Sequence, residues 1–265
     1  MVDDIFAALM FFTRLPWWRV RRVPADSFKR LVAYWPLAGW LTGGLMAGVF
    51  WLITIADLPF LLALICALLA RLLLTGALHE DGLADFIDGF GGGRSRSQTL
   101  AIMKDSHIGT YGVLGLIVYV ALWLCTAEIL ASYMEEYLFF ILFLGDVWAK
   151  WCASQIINLL PYVRREDECK IQAVYDPMST KALVTGLLLA FVPLMVGSAW
   201  LFWEGFEFLI GGLWVAASFS IGVMLLLVRY MRHRLGGYTG DCCGATFLLC
   251  ELSFFFILNI LWMFF

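Results

Sequence analysis

Three observations predict an all-α, polytopic helical membrane protein built as a single domain over residues 1–265. The chain is 62% hydrophobic and only 15% charged, whereas soluble domains carry about 45–50% apolar and about 25% charged residues. Seven stretches are apolar over the ~20 residues that a helix needs to cross a bilayer core: 31–55, 59–78, 110–131, 137–157, 182–203, 207–229 and 243–265. The third observation is the placement of Lys and Arg. With a cytosolic N-terminus, sixteen of the eighteen fall in or beside loops 1–30, 79–109, 158–181 and 230–242, and the other two, Arg71 and Lys150, lie inside spans. The opposite side has none, a strong positive-inside bias. Loops of about 30 residues leave no room for a soluble domain.

Residues 5–18 are apolar but too short to span, and they end in Arg14-Leu15-Pro16-Trp17-Trp18. They predict an N-terminal interfacial or re-entrant helix. The acidic start, Met1 to Asp4, and the short apolar run give no sign of a cleavable signal. Seven cysteines without a C-x-x-C spacing argue against a disulfide framework. The pair Cys242-Cys243 is an awkward chelate and reads as packing. No basic patch suited to nucleic acid and no H-x-x-x-H spacing appears.

The segment after the second span carries the chemistry. It reads His79-Glu80-Asp81-Gly82-Leu83-Ala84-Asp85-Phe86-Ile87-Asp88-Gly89. Asp81, Asp85 and Asp88 stand at i, i+4 and i+7, so a helix sets them on one face. Like charges on one stripe repel, and a cation resolves the repulsion. Mg²⁺ binds in this way, through a few carboxylates together with substrate phosphates. The apolar residues between the acids predict an amphipathic turn at the membrane surface. His79 suits an orienting donor, and Glu80 is either a ligand or points away.

Gly91-Gly92-Gly93 with Arg94 and Arg96 reads as a phosphate cradle or as a flexible basic loop. Lys104-Asp105-Ser106-His107 adds donors before the third span. Asp105 fits a further ligand, a general base or a helix cap. Gly236-Gly237-Tyr238-Thr239-Gly240-Asp241 precedes the last span, as an anion site at a helix N-terminus or as a turn. Arg71, Asp146, Lys150 and Glu251 are charges within spans, which face a bundle interior or a wet cavity. Asp146 and Lys150 pair by i, i+4 spacing. Arg71 and Glu251 lie at similar depth and are expected to pair too.

Taken in order, His79-x-Asp81-Gly-Leu-Ala-Asp85-x-x-Asp88-Gly, Asp105-Ser-x-x-Gly-x-x-Gly112 and Gly236-Gly-x-Thr-Gly-Asp241-x-x-Gly244 resemble the cobalamin synthase family, the adenosylcobinamide-GDP ribazoletransferases. Phe11-Phe12-Thr13-Arg14-Leu15-Pro16 and Trp35-Pro36-Leu37-Ala38-Gly39 are similar to its N-terminal signature. The resemblance covers most of the chain. Glu80 departs from it, standing where an apolar residue is expected. The resemblance implies attack of α-ribazole, or its 5′-phosphate, on adenosylcobinamide-GDP with loss of GMP, and Mg²⁺ as cofactor. On this reading Asp81, Asp85 and Asp88 hold metal, and Asp105 and Asp88 are catalytic. Arg14, His79, Lys104, Ser106, Thr239 and Asp241 bind substrate. Expected partners are corrinoid and nucleoside substrates, the lipid bilayer, and a second copy or other cobalamin-assembly enzymes, with no nucleic acid. The expected location is a bacterial or archaeal cytoplasmic membrane, with the active site on the cytosolic side.

Two other classes compete. A CDP-alcohol type Mg²⁺ phosphotransferase also uses spaced Asp, but its pattern needs Ala-Arg after the first Asp-Gly, and here Ala84 precedes Asp85. A cation transporter would place its carboxylates mid-membrane rather than at a boundary.

Overall fold

A computed structural model describes residues 1–164 and 175–262. Part of the 158–181 loop, with Cys169, and the end of the last predicted span lie outside the described residues. Among the described residues the α-helices are, in order, α1 Val2–Phe12, α2 Ser27–Arg30, α3 Trp35–Thr54, α4 Phe60–Thr75, α5 Leu78–Gly92, α6 Arg96–Ile102, α7 Thr110–Leu159, α8 Thr180–Trp203, α9 Glu207–Leu235 and α10 Gly240–Trp262. Short 3₁₀ turns at Trp17–Arg19 and Leu31–Tyr34 join the early helices. The one β feature among the described residues is an isolated bridge between Tyr162 and Tyr238. The chain is thus all-α, as its composition and periodicity predict.

Among the described residues five helices are long and apolar enough to cross a membrane, or six if the bent pair α4–α5 is counted as one span. Each predicted apolar segment is helical, but two differ in shape from a simple span. At 16 residues and ~1.5 Å rise per residue, α4 is only about 24 Å long, short of the ~30 Å hydrocarbon core. It ends at Gly76 and Ala77, both left-handed, with φ of 69° and 57°. The chain then turns by 90° into α5, so the predicted span 59–78 is one limb of a corner.

α7 is the second case. Its 50 residues include non-helical backbone at Met134 (φ −133°, ψ 37°). The Arg71 guanidinium reaches the hydroxyl of Tyr119 at 3.3 Å and the carboxylate of Asp146 at 3.7 Å. On a straight helix those two residues would be about 40 Å apart along the axis. α7 therefore folds back at Met134 into two arms, matching the separate predicted segments 110–131 and 137–157.

α7 is also the hub. It packs on α3, α5 and α10, while α8 and α9 close the far side. α1 is too short to cross, buries Ala7, Ala8 and Phe12, and lies against α3 and the Leu31–Tyr34 turn. That agrees with an interfacial N-terminal helix. The outward faces of α4, α8 and α9 carry exposed Leu69, Leu73, Val192, Val196, Leu225 and Leu226, as a lipid-facing surface requires.

Candidate active site

The corner between α4 and α5 brings the acidic motif to the N-terminal end of α10. α5 is helical throughout 78–92, as the i, i+4, i+7 spacing predicts. It meets α10 where two glycines face each other. A Cβ on Gly82 would sit 3.2 Å from the Asp241 backbone, and one on Gly244 would sit 3.1 Å from the His79 carbonyl oxygen. Close approach of the two backbones needs both. It sets the first turn of α5 beside the first turn of α10.

A cavity of about 120 Å³ opens there. His79, Asp81, Lys150, Arg164 and Asp241 line it, with an aromatic wall that includes Phe12, Trp35, Tyr175 and Phe247. Asp241 is held from two sides, by Arg164 Nη2 at 3.0 Å and by the Thr239 hydroxyl at 3.2 Å. Arg164 reaches it because the Tyr162–Tyr238 bridge ties the chain after α7 to the chain before α10. The Tyr238 N–H donates to the Pro161 carbonyl at 2.9 Å, and the Val163 N–H donates to the Tyr238 carbonyl at 3.1 Å.

The three aspartates of the predicted stripe have different surroundings. Asp81 lines the cavity. Asp85 is half-buried one helical turn further on. The carboxylate of Asp88 accepts the backbone N–H of Gly109 at 2.7 Å and that of Gly112 at 2.8 Å. Each of its oxygens thus satisfies an orphan donor at the N-terminus of α7, and its charge complements the helix dipole. A Cβ on either glycine would collide with that carboxylate.

Of the other predicted residues, His79, Asp241 and (through Asp241) Thr239 belong to the cavity. Arg14, Lys104, Asp105 and Ser106 are exposed and do not line it. The Arg14 guanidinium lies against Gly76 at the corner, and its backbone N–H donates to the Leu74 carbonyl at 2.8 Å. Asp105 accepts the backbone N–H of His107 at 3.0 Å and contacts the His107 ring at 2.7 Å. Those two interactions hold its carboxyl below its ordinary pKa. The glycines predicted to cradle phosphate are packing positions instead. Gly91 sits under the Tyr111 ring, and Gly93 sits against Thr99. Cys242 and Cys243 are buried and bond Thr239.

Behind the cavity lies a buried charge network. Arg71 pairs with Glu251, and Lys150 pairs with Asp146, as expected from their depth and spacing. Thr42 joins the second pair, donating to Asp146 at 2.8 Å and accepting from Lys150 at 2.9 Å. Tyr119 O–H and Trp123 N–H each donate to Glu251 at 3.1 Å. Glu80 faces this network, 3.6 Å from Arg71, so it points away from the cavity. Only Lys150 of these charges borders both regions; its ammonium also lies 3.9 Å from the Phe247 ring centroid.

Sequence reasoning missed Arg164, Trp35, Tyr119 and Trp123. Arg164 carried a signal, since it lies in a basic loop on the same predicted face as Asp241. Trp35 stood in the N-terminal signature without a site role, and Tyr119 and Trp123 carried no signal, because aromatic residues abound throughout the chain.

The residues fit Mg²⁺ in one respect. No group of three His, Cys, Asp or Glu among the described residues is gathered for a metal ion. However, two carboxylates, Asp81 and Asp241, line one cavity, and Mg²⁺ commonly takes one or two carboxylates together with substrate phosphates.

Fold and cavity define a class, a multi-pass helical membrane protein with an aromatic-walled cleft that carries acidic and basic side chains. Residues 4–259 match the family model described as cobalamin-5-phosphate synthase, and the chain belongs to that family. The chain is 37% identical to the adenosylcobinamide-GDP ribazoletransferase of Shewanella woodyi over 96% of this chain and 94% of that one. It is 34% identical to the protein of the same name from Shewanella oneidensis, covering 97% and 94% of the two chains. No solved structure matches. The protein is therefore a transferase of cobalamin synthesis.

Proposed function

We propose that the chain transfers the adenosylcobinamide phosphate moiety from adenosylcobinamide-GDP to α-ribazole, or its 5′-phosphate, releasing GMP. The family supports this reading, and the observation that carries it is that Asp81, Asp241 and Arg164 line one cavity. In the reaction a ribose hydroxyl oxygen forms a bond to the corrinoid-linked phosphorus. The pyrophosphate P–O bond breaks, and its electron pair leaves on GMP. Mg²⁺, when bound, neutralises charge on the pyrophosphate and the departing oxygen. Asp81 and Asp241 are the residues assigned to it. Arg164 fixes Asp241 and adds positive charge beside the phosphates. The hydroxyl proton passes to a carboxylate lining the cavity, since an alcohol is a poor nucleophile until a base accepts its proton. Asp88 positions the site by anchoring α7. The cleft faces the cytosol of a bacterial inner membrane, on the side where Lys and Arg concentrate.

The test is GMP release from adenosylcobinamide-GDP by the full-length protein in lipid nanodiscs, with and without Mg²⁺. Asp81→Asn and Asp241→Asn each lower turnover by at least ~10²-fold with the folded protein retained. Normal turnover in either variant, or full activity under chelation, removes this reading. Mg²⁺ flux in liposomes without GMP release would favour a transporter.

A further inference from the structure

The turn that follows α1 exposes side chains that a water-facing loop would hide. Its 3₁₀ stretch, Trp17–Arg19, buries no residue. Trp18 is 58% exposed and Val20 is 69% exposed. Arg19, Arg21 and Arg22 beside them are exposed as well. Apolar and cationic side chains thus interleave in one open stretch. Water does not suit the first kind, and hydrocarbon does not suit the second. The headgroup layer of a bilayer suits both.

Local bonds hold the stretch in one shape. The indole N–H of Trp17 donates to the Thr13 hydroxyl at 2.9 Å, and its ring meets Phe6 edge-on at 5.9 Å. The Val20 and Arg21 N–H groups both donate to the Trp17 carbonyl, at 2.9 and 3.0 Å. The turn is therefore fastened to α1, which carries Phe11 and Phe12 to the cavity wall.

The charge around it is one-sided. Residues 1–30 hold six cationic side chains, Arg14, Arg19, Arg21, Arg22, Lys29 and Arg30, against three carboxylates, Asp3, Asp4 and Asp26. The chain as a whole carries −3, so the excess is local. Asp3 is taken by Arg21, and Asp4 by Arg30. The guanidinium groups of Arg19 and Arg22 have no hydrogen-bond or ion-pair partner among the described residues. A free guanidinium fork matches the two unesterified oxygens of a phosphate diester.

We propose that the Trp17–Arg22 turn is a docking site for anionic phospholipid headgroups. Arg19 and Arg22 engage the phosphodiester, while Trp18 and Val20 enter the glycerol and upper acyl layer. A lipid of net negative charge, such as phosphatidylglycerol, is favoured over phosphatidylcholine, whose own ammonium answers its phosphate. Docking fixes α1 at the membrane surface. The site is separate from the cavity, and the inference does not depend on the transfer reading.

The experiment uses the full-length protein in phosphatidylcholine vesicles doped with brominated phosphatidylglycerol or brominated phosphatidylcholine. Quenching of Trp18 emission is read as the difference between the wild type and Trp18→Phe. Brominated phosphatidylglycerol is expected to quench at a mole fraction about fivefold lower or less, since each arginine near an anionic surface contributes roughly that factor. The double variant Arg19→Gln with Arg22→Gln removes two exposed, unpaired groups and is expected to equalise the two lipids. A second exposed pair, changed as Arg94→Gln with Arg96→Gln, should keep the preference. Equal quenching in the wild type overturns the proposal, as does no quenching by either lipid. A preference that survives loss of Arg19 and Arg22, or one that disappears with Arg94 and Arg96, assigns it to the general charge of that face and overturns the site. Loss of the preference on adding inorganic phosphate at matched ionic strength would make the turn a soluble-anion site instead.

Discussion

At the scale of single residues, Asp88 and Asp105 were the two expected catalytic acids, and the structure gives each a separate surrounding. Asp88 satisfies two backbone amides at the start of α7. Hydrogen bonds to a charged group contribute roughly 1.5–3 kcal/mol each, so Asp88→Ala is expected to lower thermal stability in detergent by several kcal/mol. Mg²⁺ affinity of the fraction that remains folded should be unchanged. A variant of normal stability with lost Mg²⁺ affinity would return Asp88 to the ligand set. Asp105 is exposed and bonded to His107. Because its folded pKa is depressed, its contribution is present above the unfolded carboxylate pKa and is lost as pH falls through the folded value, below about pH 4. Asp105→Asn should therefore lower stability by a constant amount between pH 6 and 8, and the difference from wild type should fade as pH falls through the carboxylate range. Residue type and spacing revealed both acids. Spacing alone could not separate them, because i, i+7 on one helix says nothing of which neighbouring helix end will claim the carboxylate.

At the scale of elements, the corner and the hairpin matter most. Ala77 adopts a left-handed conformation, which costs a non-glycine residue about 1–2 kcal/mol. Ala77→Gly is expected to raise the unfolding temperature in nanodiscs, the relieved left-handed strain exceeding the added freedom of the unfolded chain; a fall in stability would show that the Ala77 methyl supports the corner. The seven apolar segments were legible because bilayer thickness imposes a length that composition reveals. The 90° turn was not. A run of apolar residues through Leu78 gives no sign that helical dihedrals fail at Gly76 and Ala77. The break at Met134 was visible as the acidic gap Glu135-Glu136 between two greasy runs. The fold-back is confined to non-helical backbone at Met134, and no proline marks it anywhere in the segment from 110 to 159.

At the scale of the whole molecule, the buried charges join four helices around one guanidinium. The pairing of Arg71 with Glu251 was legible from depth, counted from the span ends. Its extent was not, because Glu80, Asp146, Tyr119 and Trp123 come from three other stretches of chain. Removing one member of a buried pair costs about 3–5 kcal/mol, so Arg71→Leu and Glu251→Leu should each destabilise on that scale. The exchange Arg71→Glu with Glu251→Arg is expected to recover less than half of the loss. A carboxylate at position 71 would face Glu80 and Asp146 as well. Full recovery would mean that the two act as an isolated pair. The 180-residue separation between Arg71 and Glu251 also has a consequence for biogenesis. A ribosome delivers the cation long before its counter-ion emerges, so the second hydrophobic helix must wait, with its charge unanswered, until nearly the entire polypeptide has been made. Nascent chains released short of Glu251 should be poor at settling in the bilayer and ready prey for membrane proteases.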